Sequence, residues 1–125
     1  MAFDVRPFSE MAAKTLFGES TRVFLEWILN TKFWIDNKTF GSDEIAARFH
    51  HRLVQIHVFP NGNGRHARLM TDLLLIKSGE PKFTWGTSGA YTPLDGEGKT
   101  RTEYINALQK ADQGELSDLI KFVRS

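Results

Sequence analysis

Pro60-Asn61-Gly62-Asn63-Gly64 is a stretch that a helix interior does not tolerate, and it lies between two runs with helical spacing. On its N-terminal side Ile45, Phe49, Leu53 and Ile56 recur at four- and three-residue steps. On its C-terminal side Ala67, Leu69, Met70, Leu73, Leu74, Leu75 and Ile76 form an apolar run free of proline. The chain is therefore constrained to two helices joined by a tight, glycine-rich loop. The loop opens the second helix, so free backbone N–H groups and the positive end of the helix dipole meet there. Glycine lets an anion come close to that backbone, which makes the point a candidate phosphate site.

The remaining punctuation predicts further helices. Residues 9–17 read as a short one, with Ser9 as its cap and Gly18 as its stop. A longer one spans about 20–36, with Val23, Phe24, Trp27, Ile28, Phe33 and Trp34 near helical spacing. After a turn at 37–41, Ser42 caps the helix that ends at Ile56. The helix after the loop runs over about 62–78 and stops at Gly79-Glu80-Pro81. Its apolar content suggests the centre of a bundle. Residues 82–85 read as a brief extended piece and 86–99 as a loop. Two last helices, near 100–112 and 115–124, are separated by Gly114. No alternating strand pattern or repeat is present. The fold class is all-α, with residues 1–19 as an N-terminal segment of uncertain role and 20–125 as the domain.

Composition narrows the function. A net charge of +1 gives no broad attraction to nucleic acid or to a membrane surface. With no cysteine, thiol catalysis, disulfides and cysteine-held metals are excluded. No apolar run reaches the roughly 20 residues of a bilayer span, and the start lacks a signal-peptide core. A cytoplasmic protein is the simplest expectation.

The chemistry-bearing residues cluster at the loop. His57 stands just before it as a candidate proton acceptor, since imidazole titrates near neutrality. Read alone, it is more simply a histidine closing a helix at its negative end. Arg65 and Arg68 are three apart, so both guanidinium groups can lie on one side of the first turns and fork phosphate oxygens. His50 and His57 share a helix face, but no HExxH or paired-carboxylate spacing turns them into a metal site. His66 is a candidate accessory contact at the phosphate end. Trp85 is a candidate border for a nucleotide base, whereas the other aromatic residues read as core.

His57-Val58-Phe59-Pro60-Asn61-Gly62-Asn63-Gly64-Arg65-His66-Ala67-Arg68 closely resembles the core motif of Fic domains, His-Pro-Phe-x-Asp/Glu-Gly-Asn-Gly-Arg-x-x-Arg. The wider stretch, from ARFHHRLVQIH through LMTDLLL to FTWG, resembles the Fic-type subgroup called mobile mystery protein B, over roughly residues 20–125. The resemblance implies a Fic-type helical bundle and transfer of AMP from ATP to a Ser, Thr or Tyr hydroxyl of a target protein. It assigns His57 as the base and Phe59 as the loop's anchor in the core. It gives Gly62, Asn63 and Gly64 the phosphates' anion hole, and Arg65 and Arg68 the β- and γ-phosphates. It also implies a bacterial source and a co-encoded regulatory partner.

Two positions depart from the pattern. Val58 replaces proline and removes a φ restraint. Asn61 replaces the acidic residue that ligates Mg²⁺ in the family; it keeps a carbonyl oxygen but loses the charge, which weakens a metal site. The family's inhibitory motif finds only a near miss at Thr15–Ser20, and residues 1–19 lack the hairpin signature of a target-docking flap. A shortened relative and a replaced N-terminus are the alternatives. Gly64-Arg65 argues against the phosphorylating subtype that resembles the Doc toxin. Two functions follow as alternatives: a protein adenylyltransferase, or a catalytically weakened nucleotide-binding or interaction protein.

Overall fold

A computed structural model describes residues 3–7, 18–56, 63–87 and 98–125. Regular structure among them is helical, with no strand: α1 (Gly18–Asn37), α2 (Ser42–Ile56), α3 (Asn63–Lys77), α4 (Lys99–Asp112) and α5 (Ser117–Val123). The chain divides into two compact units, Met1–Glu80 and Pro81–Ser125. The short helix expected over 9–17 and most of the loop expected over 86–99 lie outside the described residues. Gly18, expected to stop that helix, is itself helical.

In the first unit α2 is the central helix, packed against both α1 and α3. Its sequence explains this. Ile45, Ala46, Ala47, Phe49, His50 and Leu53 are all buried, a face too wide for one neighbour. Ala46 and Ala47 let another helix approach closely. Helix α1 contributes Phe24, Ile28 and Thr31 at steps of four and three. The Thr31 hydroxyl donates to the Trp27 carbonyl (2.9 Å), which satisfies it without water. Trp27 Nε1 in turn donates to the Phe49 carbonyl of α2 at 3.4 Å.

The helix expected over 62–78 is less buried than its almost all-round apolar content suggests. Helix α3 buries one stripe, Ala67, Met70, Thr71, Leu74 and Leu75, while Leu69 and Ile76 are 63% and 54% exposed. Apolar content alone overstated its burial; the spacing of the buried positions is that of a one-sided helix. Its end follows the expected route. Gly79 takes φ 78°, Glu80 N–H donates to the Leu75 carbonyl (2.8 Å) and Gly79 N–H to that of Ile76 (3.1 Å). The start of α2 differs in detail. Gly41 supplies the carbonyl that accepts the first helical bond, from Ile45 N–H at 3.0 Å, so Ser42 is already inside the helix. The Ser42 hydroxyl instead donates to Glu80 Oε1 at 3.4 Å. Phe3 is buried, and its N–H donates to Asp36 Oδ1 (2.7 Å), which pins the described N-terminal residues to the end of α1.

The second unit is built on aromatic contacts. Phe83, Trp85, Tyr104 and Phe122 form a chain of rings with centroids 5.3, 6.4 and 5.6 Å apart. Among the described residues the 82–85 piece has no strand partner; the Thr84 and Trp85 N–H groups both donate to the Val123 carbonyl at the end of α5 (2.9 and 3.1 Å). Gly86 makes the turn behind them. It has φ 77°, and a Cβ there would come within 2.7 Å of Phe122 Cζ and 3.1 Å of Thr100 Cγ2. Gly86→Ala should therefore destabilise this unit by roughly 1–3 kcal/mol, from left-handed backbone strain plus the collision with a buried ring. Urea unfolding followed by tryptophan fluorescence checks this, since Trp85 belongs to the same cluster.

Candidate functional site

Of the motif, the structure describes Gly64, Arg65, His66, Ala67 and Arg68 with their side chains, and the helical backbone of Asn63. His57, Val58, Phe59, Asn61 and Gly62 lie outside the described residues. The elements flanking them are in place: α2 ends at Ile56 and α3 begins at Asn63, and the two helices pack against each other. The short link at 57–62 is thus bounded by one helix end and one helix start. No acidic residue sits in the first turn of α3, so the positive end of its dipole is not offset there.

Arg68 is the most informative side chain. Long side chains on a helix lean toward its N-terminus, and Arg68 leans one turn back over Gly64. Its Nη1 lies 3.2 Å from where a Cβ on Gly64 would be. The guanidinium is thereby delivered to the opening of α3, where the backbone donors are. A side chain at position 64 would compete for the same space, so glycine has a steric reason to be there beyond loop flexibility. Arg65 is exposed on the first turn, whereas Arg68 is half-buried. His66 is half-buried too, and its ring packs at a tilt on Phe24 of α1, with centroids 6.0 Å apart. Burial lowers its pKa from the ordinary value. His66 therefore ties the start of α3 to α1, a packing role not legible in its position beside two arginines.

Behind this turn lies a polar pair inside an apolar contact. His50 on α2 is 0% exposed, and its Nδ1 is 3.4 Å from the hydroxyl oxygen of Thr71 on α3. Thr71 Oγ1 donates to the Ala67 carbonyl at 2.7 Å. Burial pushes the His50 pKa from 6.5 down to about 3, with Arg68 and His51 adding to the shift and the Ala67 backbone opposing it. The ring is neutral at physiological pH. His50 is enclosed against Thr71 and α3, while His57, with which it shares a face in the sequence, lies outside the described residues. Among the described residues no group of three His, Asp or Glu could hold a metal ion. The sequence does carry a signal for this pair: a histidine and a threonine each interrupt an otherwise apolar stripe (Ala46, Phe49, Leu53 and Ala67, Met70, Leu74). Trp85 differs from its expected role, since it is only 8% exposed, with its ring between Phe83 and Tyr104 in the second unit's core.

Two outcomes follow from this geometry. Gly64→Ala places a methyl against a flexible guanidinium tip, in backbone without positive φ. It should leave stability unchanged or raise it by about 0.4–1 kcal/mol while weakening binding of inorganic triphosphate. Calorimetric titration beside urea unfolding reads both. The second outcome concerns acid. Because the folded pKa of His50 lies below the unfolded one, the unfolded chain takes up the proton first. The stability held by the neutral ring is full above pH 6.5 and is lost as pH falls toward 3. The slope should reach at most about 1.4 kcal/mol per pH unit. Asp36 and Asp118 have pKa values lowered from 3.8, so the interval from pH 6.5 to 4.5 isolates the histidines. His50→Gln should flatten most of that slope in urea midpoints measured at pH 7 and 5.

Comparison with known proteins places this geometry. Residues 19–75 match the family model described as Fic/DOC family. The chain is 34% identical over 102 residues to protein adenylyltransferase fic-1 of Caenorhabditis briggsae, covering 79% of this chain and 18% of that protein. It is 33% identical over 107 residues to its Caenorhabditis elegans counterpart (83% and 19%). To protein adenylyltransferase Fic of Nematostella vectensis it is 32% identical over 100 residues (80% and 20%). The chain thus spans about a fifth of the length of these relatives. The solved C. elegans Fic-1 fragment superposes with a TM-score of 0.59 at 30% identity, over 86% of this chain and 30% of the other. The helices over residues 19–75, with the motif arginines Arg65 and Arg68 among them, are therefore a Fic/DOC-family domain.

Proposed function

We propose that this chain transfers AMP from ATP to a Ser, Thr or Tyr hydroxyl of a target protein. The observation that carries the proposal is the Arg68 guanidinium folded back against Gly64 at the opening of α3, inside the segment matched to the Fic/DOC family. The printed names of the relatives, protein adenylyltransferase, support the same chemistry. In this reading His57 takes the proton of the target hydroxyl as its oxygen attacks the α-phosphorus of ATP. The oxygen–phosphorus bond forms, the α–β anhydride bond breaks and pyrophosphate leaves. The amides of Gly62, Asn63 and Gly64 receive phosphate oxygens, while Arg65 and Arg68 hold the β- and γ-phosphates where charge accumulates on the leaving group.

Mg²⁺ belongs to this reading as a companion of the nucleotide, neutralising phosphate charge. Asn61 is the position that would hold it, through a neutral carbonyl oxygen that attracts the ion less than a carboxylate does. That difference favours a second reading, a nucleotide-binding domain whose transfer step is weak. The partner in the first reading is a protein with an exposed hydroxyl residue, with a co-encoded regulatory partner beside it. Nucleic acid is disfavoured by the +1 charge. No described helix is long and apolar enough to cross a membrane. The cysteine-free composition supports a cytoplasmic location. The mobile mystery protein B subgroup and a bacterial source rest on the resemblance of the flanking residues alone, while the relatives reported above are animal proteins.

Incubating the chain with ATP and Mg²⁺ in lysate, then searching by mass spectrometry for the added mass of AMP on any protein, tests the first reading. His57→Ala should lower the transfer by about 10²–10⁴ and leave ATP affinity nearly intact. Transfer at the wild-type rate would remove His57 from the role of base. Asn61→Asp decides between the readings. It should raise Mg²⁺-dependent transfer and weaken ATP binding without Mg²⁺, because the carboxylate attracts the ion and repels bare phosphate. ATP binding with no transfer in either form supports the second reading.

A further inference from the structure

The contact between α2 and α3 is mostly apolar, and apolar surfaces tolerate sliding. Alanine, leucine and methionine side chains give such a contact volume but little directional preference. The His50–Thr71–Ala67 cluster is the directional exception. Thr71 Oγ1 donates to the Ala67 carbonyl (2.7 Å) and lies 3.4 Å from His50 Nδ1. His50 and Thr71 are completely buried, and so is Ala67. A displacement of either helix along its axis would pull Thr71 Oγ1 away from His50 Nδ1, the contact of the cluster that crosses between the helices, in a place water cannot reach, a cost a purely apolar pair would not incur; the Thr71–Ala67 bond lies within α3 and holds the hydroxyl toward that contact.

The location of the cluster matters more than its strength. Ala67 immediately precedes Arg68, whose Nη1 sits over Gly64 one turn earlier. The charge of Arg68 is also felt at the His50 ring. Fixing Ala67 and Thr71 against His50 thus fixes the turns that carry both the phosphate-facing backbone and its arginine. A buried polar group costs desolvation that a leucine at position 50 would avoid, so the cluster needs a return other than stability.

We propose that His50 is a positioning residue of the phosphate site: through Thr71 and Ala67 it sets the register of α3 on α2 and so holds Arg68 over Gly64. The proposal rests on the reading of residues 64–68 as the nucleotide-binding turn. His50 does not touch the nucleotide. It acts on the terminal phosphates through Arg68, so its loss weakens ATP binding more than AMP binding.

The test compares His50→Leu, which fills the space without a polar atom, with His50→Gln, which restores one, and with Thr71→Val, which removes the hydroxyl at nearly constant volume. Arg68→Ala is the reference. ATP and AMP affinities are measured by calorimetry on the full chain, with helix content by circular dichroism and amide hydrogen exchange by NMR. His50→Leu should keep its helix content and weaken ATP by about tenfold, the scale expected for a displaced binding group, with AMP little changed. His50→Gln should recover most of that loss. A folded His50→Leu with wild-type ATP and AMP affinities overturns the proposal. Where His50→Leu does not fold, Thr71→Val decides: a lowered ATP-to-AMP preference supports the proposal and an unchanged one overturns it. If the wild-type chain binds neither nucleotide, the functional reading fails on its own. Exchange then judges His50: selective acceleration at Arg65–Thr71 in Thr71→Val supports positioning, and uniform protection overturns it.

Discussion

His50 is enclosed between α2 and α3 as an uncharged ring, because burial disfavours imidazolium and the charge of Arg68 adds to that penalty. The arrangement holds only while Thr71 and the Ala67 backbone stay in place. Much of the first unit follows from this. Helix α2 must carry a face wide enough to receive α1 on one side and α3 on the other, which Ala46 and Ala47 permit by their small size. Helix α3 then has a single way to lie, with Ala67, Met70, Thr71, Leu74 and Leu75 inward. That choice turns Arg65 outward and leaves Arg68 to run back along the helix to Gly64.

The start of α3 is also held from the side. His66 rests on Phe24, and Phe24 is almost fully buried in α1. Two adjacent residues, His66 and Ala67, thus face different helices. The turn between Gly64 and Arg68 is supported by α1 and α2 together, which suits a site that must present fixed donors to a charged ligand. Preorganised donors act on phosphate without having to reorganise when it arrives.

How far the residues announce all this depends on what kind of force fixed each feature. Helix existence was legible where periodicity and punctuation agree, as at Ile45–Ile56 and at Gly79, whose left-handed backbone ends α3. The motif glycines and arginines stand out in the sequence by type and spacing, and of these the structure brings Arg68 back against Gly64. Burial was less legible. Leu69 and Ile76 look like core in the sequence yet lie on the surface, since a run of apolar residues says nothing of which neighbours are available. Trp85 looked like a loop residue near a ligand because its ring partner Tyr104, which in turn packs on Phe122, comes from a later part of the chain. The His50–Thr71 pair was missed for the same reason: each residue interrupts an apolar stripe on its own helix, but only the packing of α2 on α3 joins them.

The electrostatics of the turn separate binding from chemistry. In the proposed reading, affinity for a polyphosphate rests on positive groups: the N-terminus of α3, whose first turn holds no acidic residue, and the two arginines. None of these needs a metal. Orientation for transfer is more demanding, because one phosphorus must face the incoming oxygen while the leaving group's charge is neutralised along a single line. In the proposed reading an acidic residue at position 61 would serve orientation through Mg²⁺ at some cost to bare phosphate binding. Asn61 reverses that balance. In that reading the chain has the groups that attract a triphosphate without the negative charge that opposes it. Firm nucleotide binding with slow transfer is then the combination such charges favour, and the position of Arg68 over Gly64 would supply the first half of it.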